Sequence, residues 1–199
     1  MTCIEKLEET ETMDCTRCWD QEIPETEDRP SYLNLPEPET SIKDSGDRTK
    51  FETGAVRDMH EGKGRCDLMP LDVVAECYVN AENVNEVYTV FKNLHGFTNT
   101  GDTDFLTAII QITTIFENQE TMFLEVAKHF EEGCKKYGEN NWRKGIPTHC
   151  YIDSAVRHYL KHLRGDTDER HDRAFVWNIL CCIWTCIHKP ELNDYKKES

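Results

Sequence analysis

Between Leu106 and Trp184 apolar residues recur at spacings of three and four, and no stretch of the chain alternates convincingly with period two. That pattern restricts the fold to packed amphipathic helices. Leu106, Ile109, Ile110, Ile112, Ile115 and Phe116, then Met122, Phe123, Val126 and Phe130, predict one long helix or two stacked ones with a break near Asn118. Cys134 and Tyr137 extend the face to Gly138. Ile152, Ala155, Val156, Tyr159, Leu160 and Leu163 form a second stripe that Gly165 stops. Ala174, Phe175, Trp177, Ile179, Leu180, Ile183 and Trp184 form the last helix, with Thr167 or Asp168 as its N-cap. Upstream, Val84, Val87, Val90, Phe91 and Leu94 predict a helix closing at Gly96, and Leu71, Val74, Ala75 and Tyr78 one that starts at Pro70. The expected fold is all-α, a helical bundle of four or five helices.

Residues 1–50 do not join this pattern. They carry 14 acidic and 6 basic residues and four of the seven prolines, the composition of a disordered acidic tail, with at most a short helix near Ile4–Met13. The expected organisation is a tail at 1–50, a helical domain at 51–189 and a polar C-terminal tail at 190–199. The formal net charge of −15 over 199 residues argues against a nucleic-acid polymer as partner, because that needs a basic surface. It leaves room for a single nucleotide held by a local cationic cluster. No secretory leader and no membrane-spanning apolar run is read, so a cytoplasmic protein without a membrane partner is expected. The ten cysteines are then expected as reduced thiols, five of them at helical apolar positions. Cys15 and Cys18 make half of a zinc-ribbon signature without a second pair.

The chemistry concentrates between His129 and Cys186. Glu131 and Glu132 lie near the end of one helix; Asp168, Glu169 and Asp172 lie at the opening of another. Carboxylates gathered from separate helices suit Mg²⁺ or Mn²⁺. Asp168 and Glu169, with Glu131 and either Asp172 or Glu132, are the candidate metal ligands, and Glu131, Asp168 and Glu169 the candidate catalytic acids. Lys135, Lys136, Arg143 and Lys144 sit near the first acid group, and Arg157, His158 and Lys161 between the two. Lys136, Arg157 and His158 are candidates for phosphate contact, and Tyr137 and Trp142 for packing on a base or sugar. The competing readings are a solvated acidic face, surface ion pairs and aromatic packing.

Other motifs fit less well. Gly54, Gly62 and Gly64 with Arg57, Lys63 and Arg65 make a Gly-rich basic lead-in without the context or ending of a P-loop. His171-Asp172 forms an HD dipeptide, but His158 is close upstream and the next Asp is Asp194. Glu117-x-x-Glu120 and Glu169-x-x-Asp172 resemble the two halves of an ExxE…ExxD arrangement across a long gap. Cys134 and Cys150 have His129 and His149 near them in sequence, with nothing to pair them for catalysis.

Three blocks carry a family resemblance: FETGAVRDMHEGKGRCDLMP (51–70), EEGCKKYGENNWRKGIP (131–147) and DSAVRHYLKHLRGDTDERH…WN (153–178). With the order KYGxxNWxxG then AxRHxxxxxxG, they resemble the dATP/dGTP diphosphohydrolase family of phages and prophages. The resemblance implies hydrolysis of a purine deoxynucleoside triphosphate to monophosphate and pyrophosphate with a divalent metal. It implies kinship to the MazG-like all-α pyrophosphohydrolases, hence a homo-oligomer, and host cytoplasm for a phage-encoded protein. By position it adds Asn141, His171 and Asn178 to Lys136, Tyr137, Trp142, Arg157 and His158 as substrate-binding candidates. The alternatives are a non-catalytic protein that binds or sequesters a nucleotide, and a scaffold acting through its acidic tail.

Overall fold

The structure, a computed structural model, describes residues 46–58, 63–78 and 85–196. The expectations for residues 1–45, including the helix near Ile4–Met13 and the Cys15/Cys18 pair, lie outside the described residues, as does Val84.

Among the described residues six α-helices follow a short antiparallel hairpin. Its strands are β1 (Arg48–Lys50) and β2 (Val56–Asp58), with Thr49 opposite Arg57. The helices are α1 (Leu71–Glu76), α2 (Glu86–Thr100), α3 (Thr103–Ile112), α4 (Gln119–Tyr137), α5 (Thr148–Arg164) and α6 (His171–His188). Short 3₁₀ turns occupy Cys66–Leu68, Asn141–Lys144 and Pro190–Leu192. The all-α class is the one the periodicity predicts. The hairpin is an addition, and its first strand begins before residue 51.

α6 is the central helix. It packs along α5 and also meets α4 and α3, while α2 lies between α3 and α1. Its buried residues, among them Phe175, Val176, Ile179, Cys181, Cys182 and Thr185, occur all round it, as expected of a helix with neighbours on several sides. Phe91, Phe97, Phe175, Tyr159 and Tyr151 are among the largest fully buried side chains. Each of the phenylalanines stabilises the fold by roughly 1.5–3 kcal/mol. Leu163, expected on the buried stripe of α5, is exposed at the helix end. The seven described cysteines are reduced, and Cys150, Cys181 and Cys182 are buried.

The expected break lies between α3 and α4. The Asn118 side chain accepts a hydrogen bond from Thr121 N at 2.8 Å and caps α4. Two boundaries differ from expectation. α2 runs through Gly96 to Thr100 and is closed by Gly101, in the left-handed region at φ 70°. Gly96 is a packing residue, since a Cβ there would lie 2.5 Å from the Phe105 ring. At the start of α6 neither Thr167 nor Asp168 is the cap. The capping position is Arg170, without a side-chain bond, and the Asp168 carboxylate turns to His171 instead.

Asn193, Asp194 and Tyr195, in the stretch expected as a polar tail, are held against the bundle. Tyr195 packs edge-on against Phe97 with centroids 5.4 Å apart, and Asn193 Nδ2 donates to Gly101 O at 2.9 Å. Asp194 accepts from His149 N at 2.9 Å and pairs with His149 Nδ1 at 2.8 Å. That bond, with a further one to Cys150, pushes His149 up to about 10. A raised histidine stabilises the fold fully below its unfolded value of ~6.5 and loses that contribution as pH rises through the folded value. Both side chains are more than a third exposed, 37% and 38%, so solvent screening limits the pair. Asp194→Asn is expected to cost ~0.5–1 kcal/mol at pH 6. Thermal melts of parent and variant should converge above pH 10.

Candidate active site

The residues that close the site are assembled by local capping and by two long-range clamps. Gly138 ends α4, and Asn140, at φ 55°, adopts the left-handed conformation that Asn tolerates. The following 3₁₀ turn points Asn141 inward. Asn141 Oδ1 accepts from Val56 N at 3.0 Å and Asn141 Nδ2 donates to Val56 O at 2.8 Å, so this amide serves as a strand partner for β2. The hairpin turn is pinned in turn by Thr53 Oγ1, which donates to Gly145 O at 2.5 Å. β2 thus becomes one wall of a cavity of about 810 Å³, with α4, α5 and, through Trp177 and Asn178, α6 as the others.

At one end of the cavity lies a compact polar cluster. His158 comes from α5, Asp168 and Glu169 from the connection after Gly165, and His171 is the first residue of α6. His158 Nδ1 is 3.0 Å from His171 Nδ1, and each of these nitrogens is 3.4 Å from Glu169 Oε1. His171 Nε2 is 2.7 Å from Asp168 Oδ1, and Lys161 Nζ donates to Asp168 Oδ2 at 3.3 Å. His158, Glu169 and His171 offer one donor atom each within 4.8 Å of one another. Asp166, Asp168 and His171 form a second group on the same criterion.

Burial sets the charge state. It drives His158 down to about 3 and His129, which lies nearby against Trp177, down to about 4. Burial also works to raise Glu169, but the hydrogen bond with His171 and the imidazole charges outweigh it and hold the carboxyl at about 2. Asp168 is held below the usual carboxylate range despite burial, through His171 and Lys161. At neutral pH the cluster therefore presents ionised carboxylates beside the uncharged His158 imidazole, protonation states that metal ligands require.

Cations and aromatics fill the remaining walls. Arg157 is anchored by Asp153, which is fully buried and also accepts from Cys66 N at 2.6 Å. Arg57 Nη2 donates to Asn178 Oδ1 at 2.5 Å, and the guanidinium lies over the Tyr151 ring. Lys63 lies at the cavity, its ammonium lowered by burial. Phe130 stands edge-on to both Trp142 and Trp177, with centroids 5.3 and 5.8 Å apart. This set could hold a flat apolar ring at one end and an anion at the other.

Of the residues expected from sequence, Glu131, Tyr137, Asn141, Trp142, Arg157, His158, Asp168, Glu169 and Asn178 line the cavity. His171 adjoins it through Glu169 and Asp168. Glu131 sits at the rim, exposed and paired with Lys135 at 2.5 Å. Glu132 pairs with the buried Arg173, and Asp172 pairs with Arg170. Lys136 reaches Asp58 at 2.8 Å and lies over Tyr137. The Asn141 and Asn178 amides are engaged with backbone or Arg57. Val56, Arg57, Asp58, Lys63, His129, Phe130 and Trp177 also line the cavity and were not among the site residues expected. For Arg57 and Lys63 the Gly-rich basic lead-in was the available signal. The other part-motifs stay outside: Glu117 and Glu120 flank the start of α4 and do not line the cavity.

Residues 107–195 match the family model described as dATP/dGTP diphosphohydrolase, N-terminal. That segment belongs to this family. The matched segment holds the KYGENNWRKG and AVRHYLKHLRG blocks and the whole polar cluster, and leaves the 51–70 lead-in outside. No curated protein and no solved structure matches the chain. No described helix is long and apolar enough to cross a membrane.

Proposed function

We propose that the cavity hydrolyses a purine deoxynucleoside triphosphate, dATP or dGTP, to the monophosphate and pyrophosphate with a divalent metal. The observation that carries this reading is the conjunction, in one cavity of a diphosphohydrolase-family segment, of the His158–Glu169–His171 cluster with Arg157, Lys161 and Lys63. The donor set fits a divalent ion: Glu169 and Asp168 are ionised, and His158 is uncharged at neutral pH. Such an ion, when bound, supplies Lewis acidity toward phosphate oxygens and toward water. Glu169, His158 and His171 are the residues to hold it.

The chain's own cations do the rest of the phosphate work. Arg157, held by Asp153, and Lys161, beside Asp168, offset the charge that builds on the phosphoryl oxygens and on the departing pyrophosphate. Lys63 extends this set from the opposite wall. Trp142, Phe130 and Trp177 exclude water and present ring surfaces to the base. Glu131, Glu132 and Asp172, each paired with a cation, stand outside the proposed ligand set. The homo-oligomer and the phage-host setting implied by the MazG-like kinship belong to the proposal too.

The test is to incubate the full chain with each dNTP and NTP and Mg²⁺ or Mn²⁺, and to identify the products by phosphorus NMR. Pyrophosphate with dAMP or dGMP is expected. Inorganic triphosphate, equal turnover of pyrimidines, or binding without product would each overturn the reading, the last in favour of a nucleotide-binding module.

A further inference from the structure

The geometry points to a mixed nitrogen–oxygen metal site, made by His158 Nδ1, His171 Nδ1 and Glu169 Oε1 and oriented by Asp168, that selects Zn²⁺ and Co²⁺ over Mg²⁺. It deepens the function proposed above by naming the ion class, and its test needs no nucleotide.

Spacing is the first argument. The three donor atoms form a triangle with sides of 3.0, 3.4 and 3.4 Å. Ligands at ~2.0–2.2 Å from a shared ion stand about 3.0 Å apart at right angles and about 3.5 Å apart in a tetrahedron. The triangle falls inside that range on every side.

Orientation is the second argument. His171 Nε2 lies 2.7 Å from Asp168 Oδ1, and a carboxylate oxygen accepts, so Nε2 is the donor of that contact. Nδ1 is then the ring nitrogen left to coordinate an ion, which takes the place of any proton it holds, and it faces His158 and Glu169. A carboxylate that fixes the tautomer of a ligating histidine from behind is the usual outer partner of such a ligand. His171 is the least exposed side chain of the group, at 1%, so its ring is fixed by packing as well.

The second three-residue group, Asp166, Asp168 and His171, fits less well. Asp166 is held in a two-pronged contact by Arg164, and Asp168 by Lys161 and His171. Binding an ion there would displace the cations Arg164 and Lys161, whereas the short contacts of the inner group run among its own three donors, which already converge.

Donor type decides the ion. Mg²⁺ favours oxygen ligands, dehydrates reluctantly and keeps several waters. Imidazole suits the later first-row divalent ions. Three protein donors also leave positions open to a substrate, as in catalytic and not structural sites.

The experiment is titration of the chelator-treated full chain with Zn²⁺, Co²⁺ and Mg²⁺ by calorimetry, with the visible spectrum of bound Co²⁺ and imidazole nitrogen NMR recorded in parallel. One Zn²⁺ or Co²⁺ per chain should bind at least about 10²-fold more tightly than Mg²⁺, shifting two histidine spin systems. His158→Ala and Glu169→Gln should each weaken Co²⁺ binding about 10²-fold, and Asp168→Asn 10- to 100-fold with the stoichiometry kept. Mg²⁺ affinity equal to that of Co²⁺, or a Co²⁺ spectrum and histidine signals showing only oxygen ligation, would overturn the inference. The NMR readout on the unaltered chain keeps it falsifiable should a variant misfold. Failure here with dNTP hydrolysis intact would remove the ion assignment alone; tight metal binding without hydrolysis would remove the proposed reaction alone.

Discussion

Glu169→Gln is expected to lower turnover of the preferred deoxynucleotide about 10³-fold, close to 4 kcal/mol of transition-state stabilisation, with helical content and melting temperature near those of the parent. Glu169 is the residue on which the cluster converges. One carboxylate oxygen faces both histidine nitrogens at 3.4 Å, and the carboxyl is held ionised at about 2. The amide keeps the volume and removes the charge, so loss of activity without loss of fold assigns the effect to chemistry. Asp168→Asn should cost less, 10- to 100-fold, because it acts through His171. Stopped-flow release of pyrophosphate and circular dichroism measure both. Turnover of Glu169→Gln within tenfold of the parent would sink the assignment.

The largest expected effect on stability lies one turn before His158. Asp153 is fully buried, pairs with Arg157 and accepts the Cys66 backbone N–H at 2.6 Å. Asp153→Ala strands the guanidinium and an amide together, and removing one partner of a buried ion pair costs ~3–5 kcal/mol. For a domain of this size that is roughly a 6–20 °C fall in melting temperature. Arg157 would also lose the anchor that aims it at the cavity, so activity should fall even where the variant stays folded. Urea unfolding gives the free energy. A cost below 1 kcal/mol would mean that the pair is hydrated in solution.

The helices were legible because their apolar periods are long and their stops are chemical: Asn118 caps α4 and Gly165 closes α5. Gly96 misled because a glycine required for close packing against Phe105 has the same letter as one that ends a helix. The hairpin was not legible. Strands of three residues have no period to detect, and they are held by partners far along the chain, Val56 by Asn141 across 85 positions and Arg57 by Asn178 across 121. In the site, residue type and proximity in sequence picked out His158, Asp168, Glu169 and His171. They could not separate these from Glu132 and Asp172, because the partners that engage those two, Arg173 and Arg170, are facts of packing. His129 and Trp177 reach the site by the turn of their helices, and nothing local marks them.

The clamp between Asn141 and Val56 divides labour along the chain. The polar cluster is complete within 107–195, whereas Val56, Arg57, Asp58 and Lys63 come from outside it; that outer stretch is joined to it by the Asn141 amide, the Arg57–Asn178 and Thr53–Gly145 bonds and the Lys136–Asp58 pair. The proposed metal ligands therefore all come from one stretch, and part of the cavity wall from another. Under the proposed function, substitutions at Val56, Arg57, Asp58 or Lys63 would reshape the cavity wall while leaving every proposed metal ligand in place, so a change of preferred nucleotide would need no change in that cluster.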